Sequence, residues 1–206
     1  PASVLVVGGG VSGFNAARVA VGMGADVTIL ERDSVRMRFL DDYFGASAKV
    51  LYSNIDVLER MAVKADLIIG AVLIPGASAP RLISRDMLPN LTKGAVMVDI
   101  SIDQGGCFET SKATTHQDPT FVVDDIVHYC VANMPGAVPL SSALALNHAV
   151  LPYALQIANK GWQKALADNA GLRNGLNVCD GKVVHQGVAE SLNLPLHSDI
   201  DSLLAA

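Results

Sequence analysis

Charge is scarce in this sequence. Of its 206 residues only 17% are Asp, Glu, Lys or Arg, against roughly 25% in ordinary soluble domains. The three cysteines, Cys107, Cys130 and Cys179, are too few and too widely spaced for a disulfide framework or a C-x-x-C metal site. Positive charge is not in excess: the net charge is −5, so no field draws in a phosphate backbone and no nucleic-acid partner is expected. Half the residues are apolar and the mean hydropathy is +0.36, which excludes a disordered chain. The start, Pro1-Ala2-Ser3, lacks the basic and then apolar pattern of a signal peptide. The longest gap in charge covers the 34 residues from Ile126 to Asn159. Pro135, Pro139, Pro152, Asn133, Asn147 and Gln156 interrupt it, so no window reads as a membrane span. A cytoplasmic protein with no membrane partner is expected.

What is present alternates in a regular way. Val4-Leu5-Val6-Val7 is an apolar run that ends in glycines, and the helical pattern of residues 11 to 22 follows it. Further strands are expected at Val27–Leu30, Lys49–Tyr52, Leu67–Val72, Gly94–Ile100 and Val127–Ala132. Helices are expected at Asp33–Phe44 and Leu58–Val63. Uniformly apolar strands alternating with helices predict an α/β fold, a doubly wound parallel sheet of Rossmann type covered on both faces. Beyond Met134-Pro135-Gly136 the pattern becomes mainly helical. Ser141 or Ser142 is expected to cap a long helix kinked at Pro152. Asp180-Gly181 signals a tight turn between two short extended pieces, and a short helix is expected over Gly187–Leu192. The chain therefore divides into a first domain at 1–135 and, at 136–206, a segment of a second, mainly helical domain.

Gly8-Gly9-Gly10-Val11-Ser12-Gly13 satisfies G-x-G-x-x-G between a strand and a helix. Gly8 permits the tight turn and Gly10 the close approach of a pyrophosphate. Gly13 permits close packing of helix on strand, and the helix N-terminus favours the phosphate charge. Glu31, 18 residues after Gly13 at the end of the next strand, is placed to accept ribose hydroxyls and repel a 2′-phosphate. The cofactor implied is NAD, although Arg32 and Arg36 stand close enough to tolerate a 2′-phosphate. The bland alternative, a glycine turn beside an incidental surface acid, does not explain why motif and context agree.

In such sheets ligands bind beyond the carboxyl ends of the strands. Three segments qualify: Ala71–Gly76, Asp99–Gly106 and Cys130–Gly136. Asp103, beside Gly105-Gly106, and Asn133 are the candidates for chemistry there, each with an ordinary turn role as its plain alternative. His128 reads as a packed strand residue, and no histidine shows metal-ligand spacing, so no metal is expected. Cys107 lies near Asp103 and is a candidate accessible thiol with nothing evident to activate it.

The runs VLVVGGGVSGFNAA, MGADVTILERD, GAVLIPGASAP, VMVDISIDQGGCFET and HYCVANMPGAVP, in that order, closely resemble the nucleotide-binding part and C-terminal tail of bacterial L-alanine dehydrogenases. The resemblance covers essentially the whole chain. It implies an oxidoreductase that uses NAD for the reversible oxidative deamination of L-alanine to pyruvate and ammonia. By the same resemblance, Asp103 is the candidate catalytic residue and Asn133 lies near nicotinamide and substrate. Gly8, Gly10, Val11, Gly13, Glu31, Arg36, Ser53, Val72, Leu73, Ile100, Val131 and Met134 match cofactor-binding positions. Many relatives carry Asp at the position of Glu31, and Leu140-Ser141-Ser142-Ala143 departs from the family pattern.

The resemblance further implies a homo-oligomer, a hexamer, and a substrate-domain segment ahead of the glycine loop. That segment carries the lysine and arginine for the substrate carboxylate and an acid/base histidine, and no Lys or His of this chain matches them. The chain is therefore expected to bind NAD but not to turn over alanine alone. The uncharged stretch from Ile126 to Asn159 is expected to lie between domains and between subunits. Alternatives are the NAD-binding component of a proton-translocating transhydrogenase and a NAD-binding sensor or assembly module without chemistry.

Overall fold

In the computed structural model of the chain, residues 1–72 and 80–204 are described. They fall into two units, residues 1–72 with 80–134, and residues 135–204.

The first unit is built on β1 (Ser3–Val7), whose side chains alternate between two cores. Val4 and Val6 pack with Ala17, Val27, Ile29 and Leu40. Leu5 and Val7 pack with Leu30, Leu58, Ala62 and Ile68. Both faces are thus dry from Val4 to Val7, which is why those four residues are all apolar. Helices α1 (Val11–Gly22) and α2 (Ser34–Phe44) supply the first core, and α3 (Ile55–Ala62) supplies the second. Asp33 caps α2, its side chain accepting from the amides of Val35 and Arg36. Asn54 caps α3 by accepting from Val57.

The remaining strands are β2 (Asp26–Glu31), β3 (Ala48–Tyr52), β4 (Leu67–Gly70), β5 (Val96–Asp99), β6 (Thr120–Val123) and β7 (Ile126–Tyr129). They lie in the order β3-β2-β1-β4-β5-β7-β6. Six run parallel, as the alternating pattern predicts. The seventh, β6, is an antiparallel edge strand that the sequence reading lacks. Its hairpin turns on Asp124 and Asp125, with φ of 51° and 65°. Positive φ at both central residues is the type I′ geometry that matches strand twist. Without a glycine in the pair, the turn does not announce itself. The last parallel strand spans Ile126–Tyr129, not Val127–Ala132, because the chain turns away after Tyr129.

The second unit contains α4 (Pro139–Lys160), α5 (Trp162–Asp168), α6 (Ala170–Asn174), β8 (Val178–Cys179), β9 (Lys182–Val183), α7 (Gln186–Leu192) and α8 (Ile200–Leu204). Asp180-Gly181 forms the expected turn of the β8–β9 hairpin, both residues at positive φ. A small core gathers Cys179, Val184 and Leu203 with Trp162, Leu176 and Ile200. The start of α4 corrects the sequence reading. No serine caps it; Pro139 occupies its first turn, where a missing N–H costs nothing. The Ser142 hydroxyl instead donates to the Pro135 carbonyl at 2.8 Å. The helix runs through Pro152 without ending, and none of its residues is buried. Among the described residues, no helix is long and apolar enough to cross a membrane.

Candidate functional site

Strand order reverses at β1, which has β2 on one side and β4 on the other. The loops leaving β1 and β4 must therefore diverge and open a crevice at their carboxyl ends. Gly8, with φ of +98°, makes the turn out of β1, and a Cβ there would stand 2.6 Å from the Ala71 carbonyl oxygen of the neighbouring loop. At Gly13 a Cβ would lie 1.8 Å from the Gly8 carbonyl oxygen, so only glycine lets α1 start this close to the strand. Gly10 differs. A Cβ there would meet nothing within 4 Å, so its bare backbone faces the open crevice at the helix N-terminus.

Glu31 reaches back from β2 to this loop. Its Oε2 accepts from the Gly9 amide at 2.9 Å, and its Oε1 accepts from Arg32 at 2.6 Å and Asp33 at 3.0 Å. A carboxylate has about four acceptor directions, so one remains for a ribose hydroxyl. Arg36 is committed elsewhere. Its Nε donates to Gly9 O at 2.6 Å and its second amine donates to Gly10 O at 3.3 Å. The guanidinium also lies 4.5 Å from the Phe39 ring centre and 5.5 Å from that of Phe14, within cation–π range. Arg36 braces the loop, and of Arg32 and Arg36 it is Arg32 that lines the crevice.

The crevice holds about 560 Å³. Of the residues expected to bind a cofactor, Gly8, Gly10, Val11, Glu31, Ser53 and Val72 line it. Gly13 and Arg36 support it from outside. Leu73 lies outside the described residues, as do the residues that follow it up to Ala79. Asn54, Ile55, Leu58, Arg81 and Leu82, not among the residues expected from sequence, line it as well. The first three follow or lie near the end of β3, so extending the strand-end rule to β3 would have found them. The others come from a segment with no motif of its own.

Asp103, Ile100, Val131, Asn133 and Met134 do not line this crevice. They sit at the ends of the next strands, β5 and β7. Asp103 is exposed on a 3₁₀ turn, Ile100–Gln104, that leaves β5 directly. Asn133 is exposed past β7, its carbonyl accepting from the His116 ring at 2.6 Å. Val131 is buried and bridges Thr114. Beneath the turn lies Asp99, which the sequence reading passes over as a strand end; its side chain is fully buried.

Cys107 is not the accessible thiol that its neighbourhood suggests. It is fully enclosed, and burial, with the nearby Asp99 carboxylate adding to it, pushes the thiol far above its ordinary range. Burial likewise raises Cys130. His128 is packed as expected, stacked on Phe121 at 4.9 Å between ring centres. Burial lowers its pKa. Its Nδ1 faces the Ile126 carbonyl at 3.1 Å, which can only accept. Nδ1 therefore carries the proton, and Nε2 accepts from the Thr110 hydroxyl at 2.7 Å.

A dinucleotide fits these residues. The open backbone at Gly10 is a place that any Cβ would fill, the α1 N-terminus offers unpaired N–H groups, and Glu31 keeps an acceptor free. No basic side chain is bonded to Glu31 to neutralise it among the described residues.

Comparison with known proteins agrees. The family described as "Alanine dehydrogenase/PNT, C-terminal domain" matches residues 1–186. The chain is 57% identical over 194 residues to an alanine dehydrogenase of Halomonas elongata, covering 94% of this chain and 52% of that protein. It is 51% identical over 195 residues to an alanine dehydrogenase of Mycolicibacterium smegmatis, covering 95% and 53%. Among solved structures, an L-alanine dehydrogenase superposes with a TM-score of 0.82 at 44% identity, over 94% of this chain and 53% of that one. A transhydrogenase from Sinorhizobium meliloti superposes at 0.70 with 24% identity over 90% of this chain and 50% of that one, a likeness of fold. The chain spans about half the length of the curated relatives it matches. With the family matched over most of the chain, and on a fold reached independently from the residues, this chain belongs to the alanine dehydrogenase/PNT C-terminal domain family.

Proposed function

We propose that this chain is the NAD-binding part of an alanine dehydrogenase, an enzyme that converts L-alanine reversibly to pyruvate and ammonia. One observation carries the reading: the glycine loop and Glu31 form a hydrogen-bonded cleft at the strand-order reversal, in a chain 57% identical to an enzyme named for that reaction. Residues 1–135 form the cofactor domain, and 136–206 belong to a second domain.

In this reading Gly8, Gly10, Val11 and Gly13 receive the pyrophosphate, with Arg36 bracing the loop. Glu31 holds the adenosine ribose, and Ser53 and Val72 line the adenosine side. Ile100, Asp103, Val131, Asn133 and Met134 serve the nicotinamide end. NAD, when bound, supplies the acceptor for the hydride leaving alanine Cα. The chain's own residues position and polarise. Asp103, on its exposed turn, stabilises positive charge on the substrate nitrogen as the C–N bond gains double-bond character. Asn133 orients the reactants by hydrogen bonding, and holding them in contact supplies a large part of the rate. Proton transfer and the grip on the carboxylate come from the preceding segment implied by the family resemblance. The working protein is a cytoplasmic homo-hexamer; the exposed leucines of α4 (Leu140, Leu146, Leu155) support buried contacts in that assembly.

Calorimetric titration of the chain with NAD and NADP tests the reading. NAD binding at least about tenfold tighter than NADP is expected, from the Glu31 carboxylate facing a 2′-phosphate. Binding of neither overturns it. Mixed with NAD and L-alanine, the chain alone is expected to form no NADH; robust formation overturns the division of labour.

A further inference from the structure

Asp99, at the end of β5, is 0% exposed, and none of the ion pairs among the described residues includes it. A buried carboxylate without a cation is costly unless hydrogen bonds satisfy it fully. Here they do. Oδ1 accepts from the Ser101 amide at 3.1 Å and the Cys107 thiol at 3.4 Å. Oδ2 accepts from the amides of Cys107 at 2.9 Å and Phe108 at 3.3 Å, and from the Ser111 hydroxyl. The donors stand at the start of the Ile100–Gln104 turn, at Ser101, and beyond its end, at Cys107, Phe108 and Ser111, so a single side chain ties the entering and leaving limbs of the loop that presents Asp103. Gly106 completes the knot at φ +80°, where a Cβ would stand 2.7 Å from Asp99 Oδ2. The Ser101 hydroxyl then donates to the Val72 carbonyl at 2.6 Å, which joins the turn to the loop leaving β4.

Only a carboxylate satisfies this arrangement. Asparagine would set its NH₂ against the Ser101 amide in one orientation and against the Cys107 and Phe108 amides in the other. Nothing in β5 requires that charge, since the strand's own hydrogen bonds run through its backbone. The demand comes from the loop.

We propose that Asp99 is a positioning residue, its buried carboxylate holding both limbs of the loop so that Asp103 is set for the nicotinamide half of the bound dinucleotide. The proposal rests on the reading of the cleft as a NAD site. It separates the two halves of the ligand: the glycine loop and Glu31 are independent of Asp99, whereas the Asp103 turn is not.

The test compares NADH, followed by its fluorescence, with ADP-ribose, which lacks the nicotinamide, on the wild-type chain and on D99N, S111A, D103A and the double variant D99N/D103A. D99N is expected to keep ADP-ribose affinity within about twofold and to weaken NADH by about tenfold, the scale of a lost charge-assisted contact. S111A, which removes one donor, is expected to weaken NADH about threefold with ADP-ribose unchanged. The double variant should bind NADH no worse than D103A, because a residue that acts through another is not additive with it. Additive losses, or unchanged NADH binding in both D99N and S111A, overturn the proposal. Where circular dichroism shows D99N unfolded, S111A decides: the split between ligands supports the proposal, and equal affinities or equal losses overturn it. A wild-type chain that binds neither ligand overturns the cofactor reading, and this proposal with it.

Discussion

The Glu31 carboxylate and the Gly9 amide are joined at 2.9 Å, so the acid that closes β2 and the loop that follows β1 are one unit. Two features that lie far apart in sequence thus share a hydrogen bond. The acid shapes the phosphate loop as well as facing the ribose.

Replacing Glu31 by Ala is therefore expected to reach beyond the ribose. Three backbone amides lose their acceptor, those of Gly9, Arg32 and Asp33. We expect NAD affinity to fall by about 2 kcal/mol or more, the range for a charged hydrogen-bonding group removed with its partners left behind. Preference over NADP should shrink as well, because Arg32 lines the same cleft without its acidic neighbour. Titration with both cofactors and with AMP measures each part, and AMP binding unchanged from wild type would contradict the loop-shaping role.

The glycines of the loop should separate into two kinds. At Gly10, φ is −62° and a Cβ meets nothing within 4 Å. Gly10→Ala should leave the unfolding midpoint almost unchanged while weakening NAD at least about tenfold, because the methyl enters the space used by the pyrophosphate. Gly13→Ala drives a Cβ to 1.8 Å from the Gly8 carbonyl. Helix and strand must part, and a loss of about 1–3 kcal/mol in stability is expected together with lost binding. Urea unfolding and calorimetry on both variants check the contrast.

Much of this was legible in the chain because turn chemistry is local. Apolar runs such as Val4–Val7, the glycine loop and Asp180-Gly181 carry their geometry in their own residues. The antiparallel β6 was not legible, because Asp124-Asp125 makes a glycine-type turn without glycine. Arg81 and Leu82 reach the cleft only through the tertiary course of a segment with no motif. Asp99 was hidden in plain view: a strand ending in Asp looks like the edge of a turn, and only its donors on both limbs of the loop reveal a buried anchor.

His128 should make stability depend on pH. Burial depresses its folded pKa below the ordinary value of about 6.5, with Asp99 and the Ile126 carbonyl opposing the shift. Between the two values the unfolded chain binds the extra proton and the folded chain does not, so stability rises with pH across that window. The contribution is complete above about pH 6.5 and is lost progressively as the pH falls towards the folded value. Thermal melts from neutral to mildly acidic pH are expected to decline. In His128→Gln that part of the slope should vanish, even though the variant is less stable throughout from the lost Phe121 stacking.

The β6–β7 turn offers a gain. Asp125 holds φ of 65°, a left-handed conformation that disfavours side chains by about 1 kcal/mol and that glycine enters freely. Asp125→Gly also breaks its ion pair with Lys93 at 3.0 Å, but those side chains are 65% and 85% exposed, where such pairs contribute little. The backbone bond from Gly94 N–H to the Asp125 carbonyl remains. Relief of strain offsets the greater flexibility of glycine in the unfolded chain, and a net gain of about 0.5 kcal/mol is expected. It should appear as a higher urea midpoint with an unchanged slope. High salt screens the ion pair in the parent protein, so the advantage of the variant should widen there; a gain that disappears at high salt would mean that charge, not backbone conformation, had produced it.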